Sequence, residues 1–155
     1  MNDVQVSASA ETGLDAAARR RCARFVERVL RRRNLEGWEL SVRLCDDPAI
    51  RELNRRYRGV DAVTDVLSFS QREGAGAAAG SGPGALPAGD VVVSVPTLRR
   101  NAARRGIDAS EELKRLLIHG ILHLEGMDHE AGGRREPMIV LQEQLVRELG
   151  RGMLL

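Results

Sequence analysis

The chain reads as an α+β protein, with one small mixed sheet of four strands and about five helices packed against it. Three observations predict this. Short runs with period-two alternation or dense β-branched character occur at Trp38–Leu44, Val63–Phe69 and Asp90–Val95. Longer runs with an apolar residue every three or four positions occur at Leu14–Asn34 and Pro137–Leu149. The elements fall in the order β, α, β, α, β, β, α, α, α, which suits a sheet with helices gathered against it.

Val4–Ala8 alternates weakly and is expected to be a first, edge strand. Leu14–Asn34 is a helix whose apolar stripe is Leu14, Ala18, Cys22, Phe25, Val26, Val29 and Leu30. Its other face carries Arg20, Arg24, Arg28, Arg31 and Arg32, either a solvated face or a contact for an RNA backbone. Trp38–Leu44 is a half-buried strand. Asp46-Asp47-Pro48 starts a helix that runs to about Tyr57, with Ile50 and Leu53 inward. Val63–Phe69 is the third strand. Residues 72–88 are nearly all Gly, Ala, Ser and Pro, and read as a flexible surface loop inside a single domain spanning 1–155. Asp90–Val95 is a short apolar strand at the centre of the sheet. Pro96 opens a helix that Gly106 ends. Asp108-Ala109-Ser110-Glu111 has capping-box spacing and starts the next helix. Gly132-Gly133 is a turn, and the last helix runs from Pro137 to Leu149.

A chain of 155 residues, 43% hydrophobic and 30% charged, is long enough for a core and ordinary for a soluble globular protein. No apolar run nears the ~20 residues of a membrane span, and the start of the chain lacks a signal-peptide pattern. A cytoplasmic protein is expected. Cys22 and Cys45 have no C-x-x-C spacing and are expected to be buried free thiols. The net charge of +2 establishes no nucleic-acid partner, and the Arg bias (Lys114 is the sole lysine) suits genome composition.

The informative stretch is Ile118–His129. All three histidines of the chain, His119, His123 and His129, lie in it at H-x3-H-x5-H spacing. On a helix the first two share one face, one turn apart. Gly126 stops the helix and the chain can turn through Met127-Asp128 to bring His129 back. Leu116–Leu124 is apolar nearly all round, so this central helix is buried. Three imidazoles with a fourth position open is a catalytic zinc arrangement. Gly120 stands where H-E-x-x-H zincins carry their glutamate base, and it serves either close backbone or substrate approach or tight helix–sheet packing.

His119-Gly120-Ile121-Leu122-His123-Leu124-Glu125-Gly126-Met127-Asp128-His129 resembles the signature of the YbeY family of zinc-dependent endoribonucleases. So do Leu53–Arg58, Val63–Phe69 and Gly89-Asp90, and the likeness spans about Leu40 to Gly150. Departures are Met127 where an aromatic is common, Val60 where a basic residue is usual, and Val63 in place of proline. The resemblance implies one Zn²⁺ per chain on His119, His123 and His129, and a functional arginine at Arg58. It implies single-strand-specific cleavage of RNA in 16S ribosomal RNA 3′-end maturation and ribosome quality control, with ribosomal RNA and the small ribosomal subunit as partners, and neither membrane nor DNA.

In that chemistry the metal polarises a phosphoryl oxygen, and Arg58 stabilises the charge that develops there. Taken alone, Arg58 reads as a structural ion pair with Asp61 or Asp65. Glu125 and Asp128 are candidates for a general base, or for orienting a histidine. Two rival readings are a zinc metallopeptidase and a ribosome-associated binding factor with structural zinc. The first lacks the glutamate of H-E-x-x-H, and the second lacks a four-ligand, Cys-rich set.

Overall fold

The computed structural model describes residues 1–71, 86–127 and 136–155. Its strands are β1 (Asp3–Ala8), β2 (Trp38–Cys45), β3 (Val66–Ser70) and β4 (Leu86–Ser94). Its helices are α1 (Ala16–Arg32), α2 (Asp47–Arg58), α3 (Val95–Arg105), α4 (Ala109–Leu124) and α5 (Glu136–Leu149). The expected element order holds, with one added 3-10 turn at Ala10–Thr12. The sheet order is β1-β2-β4-β3. β1 and β4 run parallel to β2, and β3 pairs antiparallel with β4. The sheet is therefore mixed, and β4 is central as its apolar run implied.

The largest boundary shifts are two; smaller ones trim the first helix to Ala16–Arg32 and pass Val95 from the strand to α3. β3 begins at Val66 rather than Val63, and Leu86–Ala88, expected in the loop, belong to β4. Strand pairing explains the second change: Glu39 of β2 lies opposite Pro87, and Gln71 N–H reaches the carbonyl of Ala88. Pairing with neighbours overrides a Gly/Ala/Pro composition that has no strand propensity of its own. The rest of the predicted loop, residues 72–85, lies outside the described residues, as does the Gly132-Gly133 turn.

Capping follows the sequence. Asp15, Asp46, Ser94 and Asp108 each accept a backbone N–H at the start of α1, α2, α3 and α4. Gly59 and Gly106 close α2 and α3 in left-handed conformations. Gly89 is required in β4: its φ is +139°, and a Cβ there would lie 2.0 Å from the carbonyl oxygen of Phe69.

The two faces of the sheet are covered unequally. On one, Trp38, Leu40, Val42, Leu44, Val91 and Val93 meet the apolar stripes of α1, α4 and α5 in one large core. On the other, Cys45, Ile50 and Val92 form a small cluster bordered by Ala49, Leu53, Leu67 and Phe69. Both cysteines are free and buried, as expected. Burial pushes each thiol up to about 11, so both stay protonated at neutral pH. No described helix is long and apolar enough to cross a membrane.

Candidate metal centre and its arginine

Helix α4 is built to hold side chains still. Asp108 caps its start by accepting from Ser110 N–H, and Glu111 and Glu112 sit in its positive first turn. From Leu116 to Leu124 every residue is buried except His119 and His123. The helix is buried as predicted, but its histidines lie on the one open stripe. His119 is half-buried and His123 is exposed. Gly120 answers to packing: a Cβ there would lie 2.8 Å from a methyl of Val91 and 3.2 Å from Ser68 Oγ. The absent side chain lets α4 settle directly onto β4 and β3.

The two rings are 6.1 Å apart between centroids, inclined at 54°. His119 Nδ1 lies 2.9 Å from Gln142 Oε1 on α5, and His123 Nδ1 lies 3.1 Å from the carbonyl oxygen of Met127. A carbonyl only accepts, so these contacts call for the proton on each Nδ1, which in the neutral ring leaves the lone pair on Nε2. That is the tautomer of an imidazole set to ligate through Nε2. The donor set therefore fits a divalent metal that prefers nitrogen ligands. Among the described residues no three His, Cys, Asp or Glu side chains come together as a metal group. The third expected ligand, His129, and the neighbouring Asp128 lie outside the described residues.

Glu125 is engaged elsewhere. Both its oxygens accept from Arg33, at 2.7 and 3.0 Å, a partly buried pair that ties the end of α4 to the end of α1. The arginines of α1 divide similarly: Arg31 pairs with Glu27, Arg32 with Glu148, and Arg28 donates to the carbonyl of Leu149.

Arg58 comes from the opposite side of the sheet, at the last turn of α2. Its alternative partner Asp61 is held by Arg51, with Nε to Oδ1 at 2.8 Å. Arg58 instead donates to the carbonyl of Ser68 on the edge strand β3 and lies 4.9 Å above the ring of Phe69. Phe69 in turn meets Tyr57 edge-on at 5.5 Å. Ser68 thus touches both parts. Its carbonyl takes Arg58 at the sheet edge, and its hydroxyl lies against Gly120, which directly follows His119.

The family model described as Endoribonuclease YbeY matches residues 5–150. The chain belongs to the YbeY family. Endoribonuclease YbeY of Treponema denticola is 43% identical over 128 residues, covering 83% of this chain and 81% of that protein. The YbeY of Aquifex aeolicus is 46% identical over 113 residues, covering 73% and 71%. A Thermotoga maritima protein solved in solution superposes with a TM-score of 0.58 at 25% identity, over 96% of this chain and 89% of that one. The YbeY resemblance drawn from the histidine and Asn54–Arg58 motifs is borne out over nearly the whole chain.

Gln142 and the carbonyls of Met127 and Ser68 went unnoticed in the sequence. For Gln142 a signal was present. It sits in the apolar stripe Met138, Leu141, Leu145, Val146 and is itself buried, and a polar side chain there needs a partner. Backbone carbonyls leave no such trace.

Proposed function

We propose that this chain is a zinc-dependent endoribonuclease, one domain over residues 1–155, that cleaves single-stranded RNA in the cytoplasm during 16S ribosomal RNA 3′-end maturation and ribosome quality control. Family membership supports the endoribonuclease class, and it gives no support to the metallopeptidase or structural-zinc readings. The observation that carries the metal-site reading is the histidine pair on the open stripe of α4, each Nδ1 on a carbonyl oxygen.

His119, His123 and His129 would hold one Zn²⁺. Zinc held there supplies a Lewis acid for a phosphoryl oxygen and acidifies water. The protein does the rest. Buried α4 fixes the two imidazoles, and Arg33 braces the helix end through Glu125. Arg58 spends one N–H on Ser68 and keeps four in its planar fork, enough to bind a phosphate oxygen pair and stabilise charge developing on it. The Phe69 ring beneath gives the guanidinium a cation–π contact at the edge strand. Asp128 is left as the candidate for orienting the third histidine.

The test is metal content by elemental analysis together with cleavage of a ribosomal RNA fragment bearing an unpaired 3′ tail. Wild type should carry about one zinc per chain and cut the tail, whereas His123→Ala should lose both zinc and cleavage with its helical signal intact. Casein hydrolysis that depends on His123, with no RNA cleavage, would establish the peptidase instead. Zinc retained in full by His123→Ala would end the three-histidine reading.

A further inference from the structure

The stripe of α4 that faces α5 carries Arg115 and His119, four residues and one turn apart. Opposite them on α5 stand Glu143 and Gln142. Arg115 donates to both oxygens of Glu143, Nε to Oε2 at 2.8 Å and Nη2 to Oε1 at 2.9 Å. Gln142 Nε2 donates to the same Oε2 at 3.3 Å, and Gln142 Oε1 faces His119 Nδ1 at 2.9 Å. Gln142 is only 8% exposed and the Arg115 side chain 12%, while Glu143, at 34%, reaches the surface.

The network has a direction. An amide can normally flip, presenting either oxygen or NH₂ to a neighbour. Here a flip would press the amide oxygen against the Glu143 carboxylate, acceptor against acceptor. The carboxylate is itself fixed by the bidentate fork of Arg115. Gln142 is therefore locked with its carbonyl toward His119, and a carbonyl can only accept. His119 is left with its proton on Nδ1 and its lone pair on Nε2.

We propose that Gln142 is a positioning residue that fixes the tautomer and ring orientation of His119, and that Arg115 and Glu143 act one step behind it by setting the direction of its amide. This rests on the reading of His119 as a metal ligand. His123 gets the same service from a backbone carbonyl, that of Met127, which no side-chain substitution removes. His119 is oriented through side chains that can be exchanged.

The experiment has two readouts, neither of them activity. Ring ¹⁵N shifts of metal-free protein at a fixed pH of about 8, well above the ordinary histidine value, report the His119 tautomer. Competition with a chromophoric chelator reports zinc affinity. In wild type the Nδ1–H form of His119 should dominate. Gln142→Leu should shift His119 toward the Nε2–H form and weaken zinc binding by about 10–100-fold. Gln142→Glu, still an acceptor toward His119 although its second oxygen now faces the Glu143 carboxylate, should keep the Nδ1–H form dominant. Glu143→Gln leaves Arg115 an acceptor but frees the Gln142 amide to flip, and should give a mixed tautomer and a smaller loss. If Gln142→Leu does not fold, Glu143→Gln carries the test alone. Wild-type tautomer and wild-type affinity in a folded Gln142→Leu, or in Glu143→Gln where that variant stands alone, would overturn the proposal. His119→Ala separates this from the wider reading: if it binds zinc as tightly as wild type, His119 is no ligand, whatever the tautomer data say.

Discussion

The two faces of the sheet carry different amounts of core, and the proposed function gives them different work. On the α4 side, β2 and β4 lie under three helices, and the histidines project from a helix buried on every other side. On the α2 side, one amphipathic helix covers part of the sheet over a handful of apolar residues, and Arg58 extends from its exposed end. Metal ligation needs ring nitrogens held within a few tenths of an ångström, and dense packing with directed hydrogen bonds provides that. A phosphate clamp needs a permanent charge that can reach and adjust. In the proposed function, the Arg58 guanidinium over Phe69 at the sheet edge would provide that without a deep core. The proposed function thus sets the candidate metal ligands on the densely packed face and the candidate phosphate contact on the open one.

The largest effect that sharpens this contrast is on activity. Arg58→Ala should lower the RNA cleavage rate by about 10²–10³-fold, the scale of losing one charge-stabilising donor. Zinc content and thermal midpoint should stay near wild type, because Arg58 is exposed and its hydrogen bond is to an edge carbonyl. Rate and zinc content falling together in Arg58→Ala would mean that the two faces are not separable.

How much of this was legible in the chain follows the same division. The α4 side was readable because its signals are local: Asp108 at the cap, apolar residues from Leu116 to Leu124, histidines four apart. Arg58 was visible only through the family motif. Its neighbours Asp61 and Asp65 suggested an ion pair, and nothing local told that Arg51 would claim Asp61. The strand start at Leu86 failed for a related reason, since pairing with β2 and β3 outweighed a composition that favours loop. Gln142 needed the packing of two helices, α4 and α5, that the sequence names but does not juxtapose.

Next in size is a pair of core truncations. Leu117 and Ile50 are both essentially buried, one in the large core and one in the small cluster. Leu117→Ala should cost about 3–5 kcal/mol, since neighbours on several elements resist collapse into the cavity. Ile50→Ala should fall near the lower end of the usual range, about 2 kcal/mol, because a single covering helix can settle into the gap. Urea denaturation of both variants gives the comparison directly. Equal losses would show the thin face to be as tightly packed as the thick one.

The smallest effect lies in acid, at the joint that carries α2. Asp47 accepts from Ser94 Oγ and Thr97 Oγ1 at 2.6 Å each, and from Arg100 Nη2 at 2.7 Å, so it ties the start of α2 to the end of β4 and the first turns of α3. Burial pulls its carboxyl up, but the three hydrogen bonds and the Arg100 charge outweigh burial and hold it below the ordinary value of 3.8. The sign follows. The unfolded chain takes up this proton first, so the contribution of Asp47 is fully present above 3.8 and disappears as pH falls through the lower folded value. Asp47→Asn cannot titrate at this position. The gap in urea midpoint between wild type and Asp47→Asn should therefore be widest at neutral pH and should narrow below pH 3.8. The other lowered carboxyls, Asp15, Glu52, Asp61, Glu143 and Glu148, are common to both proteins and cancel in the difference. A gap that stayed constant into strong acid would show that Asp47 holds α2 by shape alone, and the thin face would then depend less on charge than its hydrogen bonds indicate.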